Sequence, residues 1–537
     1  MSSAGVGRTS FSASAAMLFS TALGFVRNLV LASAIGTGLV ADSYNIANQV
    51  PYQIFTMLGG GAIAFVLVPQ LMRQAQVSEV RRDEYGSLLL AAGVALGLIV
   101  TFVLLAISPV LIRWMGGASW GQAQSSLGLR FTLWCIPQVF FYALYSMASQ
   151  LMYARGHFIT VAWIPIANSL VVILSCIPLI AVGTIEANSP ASVQNWEVVL
   201  LGGATLLGSA LQAALLLALL RRAGFRPRFR FQIRGMGLRV TATAGLFTLG
   251  TVFCSQVANL VTAALSTQAG SAAKALGDGG RGYTAFFLAQ LLFNVASTVA
   301  SGSLANILLQ RLSKNYADGA AESASSEIND AILVVGSLLV PVMSIFICLG
   351  PLGGVLLFTR GETSSSAAHF IGVALAVFGA GLVPHALHEI LVRPFYAVHD
   401  ARTPLISAGI ITSVLILGAI AASVLLPPRY VILGIAGAVS LAYIVDLPLR
   451  LRSLKKQLDF KVSKRVVQGY RRALGAAALS TAVVGTFVMY LEQRIPQQWF
   501  LRTVLFVGGL VGFLIIYYPL TARSPASLRR LVQWLRT

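Results

Sequence analysis

The sequence predicts an all-α polytopic membrane protein with about fourteen transmembrane helices, and three observations lead there. Of its 537 residues, 57% are hydrophobic and 10% charged, with a mean hydropathy of +0.80, whereas a soluble domain carries about 25% charged residues. Apolar stretches of about 20 residues, enough to cross a hydrocarbon core of about 30 Å, recur along its whole length. The basic residues fall between these stretches in the dispersed pattern that orients membrane helices. The net charge of +21 is therefore a matter of topology, and nucleic acid is not expected as a partner.

Windows of spanning length lie at about 11–35, 44–72, 86–112, 123–151, 158–183, 197–220, 240–266, 283–310, 325–350, 366–392, 403–426, 431–449, 473–491 and 503–522. The connections test this count, because alternate ones lie on the same side of the membrane. With both termini on one side, that side holds 29 of the 38 Lys and Arg, and the other holds eight. Such asymmetry marks the first side as cytoplasmic, and an odd number of missed spans would have scrambled it. The first window is longer than a signal-peptide core and contains an arginine, so it is expected to be retained. Cys135, Cys176, Cys254 and Cys348 all lie in apolar stretches without metal-ligand spacing and are expected to be small packing residues.

The residue left over from the charge count is Arg27, inside the first window. An arginine at the centre of a spanning helix costs roughly 2.5–3.5 kcal/mol on insertion scales and is found facing a wet cavity or a partner. The second window carries Asn45, Asn48, Gln49, Tyr52, Gln53 and Thr56 at spacings of three and four, which places them on one helical stripe. The seventh window offers Gln256 and Asn259, and the eighth Gln290 and Asn294. Single amides in membrane bundles serve as interhelical glue, but a stripe repeated in two halves points to a hydrated cavity wall. Proline at 51, 137, 165, 341 and 384 and the triplet Gly59-Gly60-Gly61 allow bends and close packing.

An internal duplication is also visible. Met152-Tyr153-Ala154 returns as Phe395-Tyr396-Ala397, with Thr160 matched by Thr403, at an offset of 243; at 241, Gln49 faces Gln290 and Gln53 faces Asn294. Six spans separate the copies, so the halves share one orientation, as in parallel repeats about an axis along the membrane normal. The expected division is an N-terminal lobe over 1–222, a C-terminal lobe over 223–456, and two extra helices with a basic tail over 457–537. The two six-helix lobes are thus related by a pseudo-two-fold.

These residues resemble the MurJ (MviN) lipid II flippases of the multidrug/oligosaccharidyl-lipid/polysaccharide exporter superfamily. The likeness is carried by Leu23-Gly24-Phe25-Val26-Arg27, by Gly36 through Ala41-Asp42, and by Gly61-Ala62 with Phe65-Val66 and Val68-Pro69. It continues in Ser255-Gln256-Val257, Ile307-Leu308-Leu309 with Leu312-Ser313, and Phe395-Tyr396-Ala397 with Asp400 and Thr403-Pro404. The resemblance implies a fold like that of the multidrug exporters of the superfamily. It also implies carriage of undecaprenyl-diphosphate-linked peptidoglycan precursor from the cytoplasmic to the outer leaflet of the bacterial cytoplasmic membrane, with cell-wall synthesis proteins as candidate partners. By the family pattern Arg27 meets the diphosphate, Ser20 matches a serine on the first helix, and Asp42 an acidic residue at the outer end of the first hairpin. Spans thirteen and fourteen are implied to offer a groove for the prenyl tail.

Several positions depart from that pattern. Thr21, Phe55 and Thr56 stand where relatives often have arginines, Leu291 and Asn294 replace an arginine and a glutamate, and Asn28 replaces an acid. A clamp of several arginines is reduced to Arg27 among amides. No cofactor or metal is expected, and spans seven and eleven lack the carboxylates of the sodium site of some relatives. The rivals are a flippase of another polyprenyl-diphosphate oligosaccharide and a drug or metabolite exporter. An exporter of organic cations would want buried carboxylates, and Glu389 and Asp446, the acidic candidates within spans, are both placed near cytoplasmic ends. An enzyme would want a catalytic carboxylate on a sizeable loop, whereas acids on the outer loops are scattered singly. His385, His388, Glu389 and Arg393 form a polar cluster expected to be a solvated helix end.

Overall fold

The computed structural model describes residues 3–57, 79–227, 238–494 and 498–522. Among the described residues there are eighteen α-helices and no strand. Helix is the one conformation in which a single segment satisfies its own backbone in hydrocarbon. The chain forms two compact units, one of residues 1–284 with 361–363, the other of 285–360 with 364–537.

The first unit contains α1 (Ser3–Ile35), α2 (Leu39–Phe55), α3 (Glu79–Gly116), α4 (Gln122–Cys135), α5 (Gln138–Tyr153), α6 (Phe158–Trp163), α7 (Pro165–Val182), α8 (Asn195–Arg222) and α9 (Leu238–Ala275). It ends with the first two residues of α10 (Tyr283–Ala317). The second continues α10 and adds α11 (Ala321–Phe358), α12 (Ser365–Gly379), α13 (Leu382–Leu391), α14 (Arg393–Ala397), α15 (Arg402–Leu425), α16 (Val431–Leu458), α17 (Lys464–Glu492) and α18 (Trp499–Thr521).

Every expected window contains helix, but the described residues support eleven or twelve spans where the sequence predicts fourteen. Eleven stretches are long and apolar enough to cross, and α12 with α13–α14, bent by 49°, makes a twelfth. The first two windows account for the difference. In the first window an apolar helix shorter than spanning length is described over Phe19–Ile35, and α2 has 17 described residues. The rest of the second window, with Gly59, Gly60, Gly61, Ala62, Phe65, Val66, Val68 and Pro69, lies outside the described residues, as do the basic segment 228–237 and the tail 523–537.

Packing follows the apolar faces. In the first unit Leu31, Ile35, Tyr44, Phe131, Val172 and Leu201 form a buried cluster that includes Cys135 and Cys176, and Tyr44 meets Phe131 edge-on at 5.5 Å. All four cysteines are free. In the second unit the bend between α12 and α13 frees backbone acceptors, because Gly381 N–H bonds Phe378 O at 2.9 Å instead of reaching one residue further back. Ser440 on α16 supplies the missing donor, with its hydroxyl 3.0 Å from Val377 O. A polar side chain from a neighbouring helix thus stabilises the break.

The duplication seen in the sequence has a structural counterpart inside each unit. Where Met152-Tyr153-Ala154 closes α5, His157 N–H bonds Met152 O at 3.0 Å and Gly156 N–H bonds Tyr153 O at 2.9 Å. At the end of α14, Asp400 N–H bonds Phe395 O at 2.8 Å and His399 N–H bonds Tyr396 O at 3.1 Å. This is the same pair of bonds at the same offset of 243, the pattern of a Schellman cap with a left-handed residue. That residue is Gly156 (φ 81°) in one copy and His399 (φ 62°) in the other. A Cβ at Gly156 would meet nothing within 4 Å, so only backbone conformation resists a side chain there. Gly156→Val is expected to cost about 1–2 kcal/mol from the left-handed backbone, and His399→Gly to leave stability unchanged or raise it. Melting curves of the detergent-solubilised variants check both signs.

Candidate functional site

A helix that faces acyl chains exposes its apolar side, and α3 does so with Ile99, Phe102, Val103 and Val110. In α2 the arrangement is inverted. Its buried residues include Val40, Ala41, Ile46, Ala47, Val50, Pro51 and Phe55. On its accessible side Tyr52 is exposed (48%), and Asn48, Gln49, Gln53 and Thr56 are partly accessible. Turning that stripe toward hydrocarbon would strip several amides of hydrogen bonds, so this side faces water or a polar ligand.

Arg27 belongs to the same unit and is partly buried. Its Nε is enclosed without a hydrogen-bond partner, and its charge acts on Tyr44 of α2, Tyr142 of α5 and Cys176 of α7. Among the described residues no carboxylate forms an ion pair with it. A guanidinium with no ion pair among the described residues can receive an anion, because its planar fork matches phosphate oxygens.

The other candidates divide by their partners. Ser20 is partly accessible on α1. Asn28 is 7% exposed and donates to Gly24 O of its own helix at 3.0 Å. Asp42 is 1% exposed, and its carboxylate accepts from the backbone N–H of Tyr283 at 3.2 Å and of Thr284 at 2.7 Å. It therefore caps the first turn of α10, where the helix dipole favours negative charge, and Gly282 packs so closely on it that any Cβ there would displace the carboxylate. Asn45 donates to Thr284 Oγ1 at 3.1 Å beside it. Gln53 keeps a buried Oε1 without a partner. Asn259 donates to Gln256 Oε1 at 3.4 Å along α9. Gln290 and the exposed Asn294 lie one turn apart on α10 in the second unit.

Behind the stripe runs a polar chain that the sequence does not announce. Gln138 Nε2 donates to Asn48 Oδ1 at 3.3 Å, and Gln138 Oε1 accepts from the hydroxyls of Tyr142 at 2.6 Å and Ser209 at 3.1 Å. Asn168 Nδ2 extends it, donating to Ser209 Oγ and Gln212 Oε1, each at 3.3 Å. Four helices, α2, α5, α7 and α8, are thereby tied together.

In the second unit the expected solvated helix end divides. Glu389 and Arg393 form an accessible pair at 3.9 Å, but His388 Nδ1 lies 2.8 Å from Asp446 Oδ2, and Asp446 and Arg450 are 1% and 2% exposed. Arg450, counted with the cytoplasmic connections, is in fact inside α16. Its position one turn after Asp446 signals that pair; nothing in the sequence ties it to a histidine 58 residues before the aspartate.

The sequence profile described as "Lipid II flippase MurJ" matches residues 31–508. The chain belongs to the lipid II flippase MurJ family. Among similar members is a protein named probable lipid II flippase MurJ from Vibrio cholerae, 25% identical over 95% of both chains. One of the same name from Rhizobium tropici is 26% identical over 93% of this chain and 90% of its own. The fold resembles that of a lipid II flippase MurJ in an inward closed conformation, with a TM-score of 0.73 at 18% identity, over 97% of this chain and 99% of that one. It also resembles an inward-facing multidrug resistance transporter of the MATE family, with a TM-score of 0.64 at 16% identity, over 82% of this chain and 96% of the other. Members of the MurJ family are transporters, and this chain is a multi-pass membrane transporter rather than an enzyme.

The capping geometry separates a structural from a substrate-facing carboxylate. Asp42→Asn keeps one acceptor for the α10 backbone and sets its Nδ2 against the other N–H, so it is expected to lose stability but less than Asp42→Ala, which leaves two buried N–H groups unmet at about 1–3 kcal/mol each. Thermal melting of both variants in detergent gives the comparison.

Proposed function

We propose that this chain carries lipid II, the undecaprenyl-diphosphate-linked peptidoglycan precursor, from the cytoplasmic to the outer leaflet by alternating access, with Arg27 holding the diphosphate. The observation that carries the reading is the inverted α2, whose accessible side carries Asn48, Gln49, Tyr52 and Gln53 within an apolar bundle, in the same unit as an arginine that forms no ion pair among the described residues. A diphosphate bears at least two negative charges, and moving it unaided through hydrocarbon is prohibitive. Asn48, Gln49 and Gln53, with Ser20, Gln256 and Asn259 in the same unit, offer both donors and acceptors, which suits sugar hydroxyls and peptide groups. Asn28 and Asp42 contribute by fixing the helices that carry this wall.

The prenyl tail needs apolar surroundings, and the second unit contains a cavity of about 450 Å³ lined by Ile332, Val383, Leu387, Leu447, Val466 and Tyr470 among others. Its walls come from α11, α13, α16 and α17. The charge asymmetry of the connections supports a bacterial cytoplasmic membrane placement with both termini inside. A cation exporter is disfavoured because the buried carboxylates among the described residues are already engaged: Asp42 by backbone N–H groups, Asp83 by Arg155, Glu197 by Thr184 and the Gln194 N–H, and Asp446 by His388, Ser407 and Arg450.

Arg27→Ala is expected to lower outer-leaflet exposure of lipid II at equal protein level by about tenfold or more, the equivalent of a charge-assisted hydrogen bond of about 1.5–3 kcal/mol. Leaflet accessibility of lipid II in cells carrying either form measures it, and unchanged exposure would remove Arg27 from the site.

A further inference from the structure

We propose that Gln138 is a positioning residue that turns the amide of Asn48, so that the accessible side of α2 presents N–H donors to a phosphate group. The inference rests on the proposed carriage of a diphosphate and names a further contact for it. An asparagine amide has a donor end and an acceptor end of nearly the same shape. Which end meets a ligand is decided by what holds the other.

Gln138 is fully buried on α5, and a distance tells its two ends apart. The Tyr142 hydroxyl oxygen lies 2.6 Å from Gln138 Oε1, inside the range of an O–H···O bond and below that of N–H···O. The amide oxygen therefore faces the phenol, which donates its proton. The Ser209 hydroxyl is 3.1 Å from the same oxygen and shares its one proton with Thr205 O, also at 3.1 Å. Its lone pairs accept from Asn168 Nδ2 at 3.3 Å. Two hydroxyl donors thus hold Gln138 Oε1 on one side, and Nε2 is left for the other.

That other side is α2. Gln138 Nε2 lies 3.3 Å from the Asn48 side chain, and opposite an N–H donor Asn48 sets its Oδ1. The two N–H bonds of Asn48 Nδ2 are then free of Gln138. Among the described residues they have no hydrogen-bond partner, and Asn48 is partly accessible on the polar stripe. The ordering passes from phenol to glutamine to asparagine, and it starts at Tyr142, on which the charge of Arg27 also acts. An oriented pair of donors favours phosphate oxygens, which only accept, and opposes an ammonium group, which only donates. The same donors take water oxygens when no ligand is bound.

The test is a double-mutant cycle on the full chain in nanodiscs, with inorganic diphosphate titrated and followed by ³¹P NMR. Asn48→Ala removes the donors and is expected to raise the Kd for diphosphate about tenfold, and Gln138→Met, which lets Asn48 turn, about threefold. The double variant is expected to match Asn48→Ala, because Gln138 acts through Asn48. Asn48→Asp keeps the acceptor for Gln138 and sets a carboxylate oxygen where the donors were, so it is expected to abolish diphosphate binding while the melting temperature holds. In proteoliposomes Asn48→Ala and Gln138→Met are expected to raise the half-saturating lipid II content by more than they lower the maximal rate. Additive losses in the double variant overturn the proposal, as does wild-type diphosphate affinity in Asn48→Asp. A wild type that passes the cycle with diphosphate but moves no lipid II supports the oriented amide and overturns the lipid II reading. A wild type that moves lipid II but binds no diphosphate overturns the oriented amide alone.

Discussion

The absence of water from the bilayer core is the constraint on which the rest of this structure depends. In that medium a polar side chain must find a protein partner, a hydrated space or a ligand. Most polar groups here take the first course. Asn28 turns back on Gly24, Asp42 takes the first N–H groups of α10, and Gln138 joins Tyr142, Ser209 and Asn48. Arg27 Nε and Gln53 Oε1 are buried without such a partner.

The same constraint explains what was legible in advance. Windows of apolar residues were readable because hydrocarbon imposes one requirement along the whole chain, and Arg27 stood out because it breaks that requirement. The echo of Met152-Tyr153-Ala154 in Phe395-Tyr396-Ala397 was readable because a helix cap is local, and its hydrogen bonds span only five residues. The polar chain behind α2 was not readable, because Gln138 finds Ser209 at a separation of 71 residues and Asn48 at 90. Asp42 illustrates the limit of a residue type. Its family position marks a carboxylate, but only the fold shows that its partners are backbone N–H groups 241 and 242 residues away.

Two of the buried carboxylates, Asp42 and Asp446, show how similar chemistry serves different ends. Asp42 is held by backbone N–H donors, which cannot titrate, so its hydrogen bonds have a fixed direction. Asp446 is held by the side chains of His388, Ser407 and Arg450. The first arrangement fixes a helix end, and the second ties α13, α15 and α16 together.

The reduction from a clamp of arginines to one guanidinium bears on how a substrate would leave. Several arginines around a diphosphate keep the site positive after binding, and dissociation then works against their combined attraction. On the proposed reading, with Arg27 as the one guanidinium, a ligand bearing two negative charges would convert the site from net positive to net negative, while the amides of Asn48, Gln49 and Gln53 would remain neutral throughout. Amides can present either N–H or C=O, so the same wall can solvate the head group when it is bound and water when it is gone. A cavity built this way holds its cargo through one directional contact and many interchangeable ones, and its attraction for the anion is correspondingly easier to reverse.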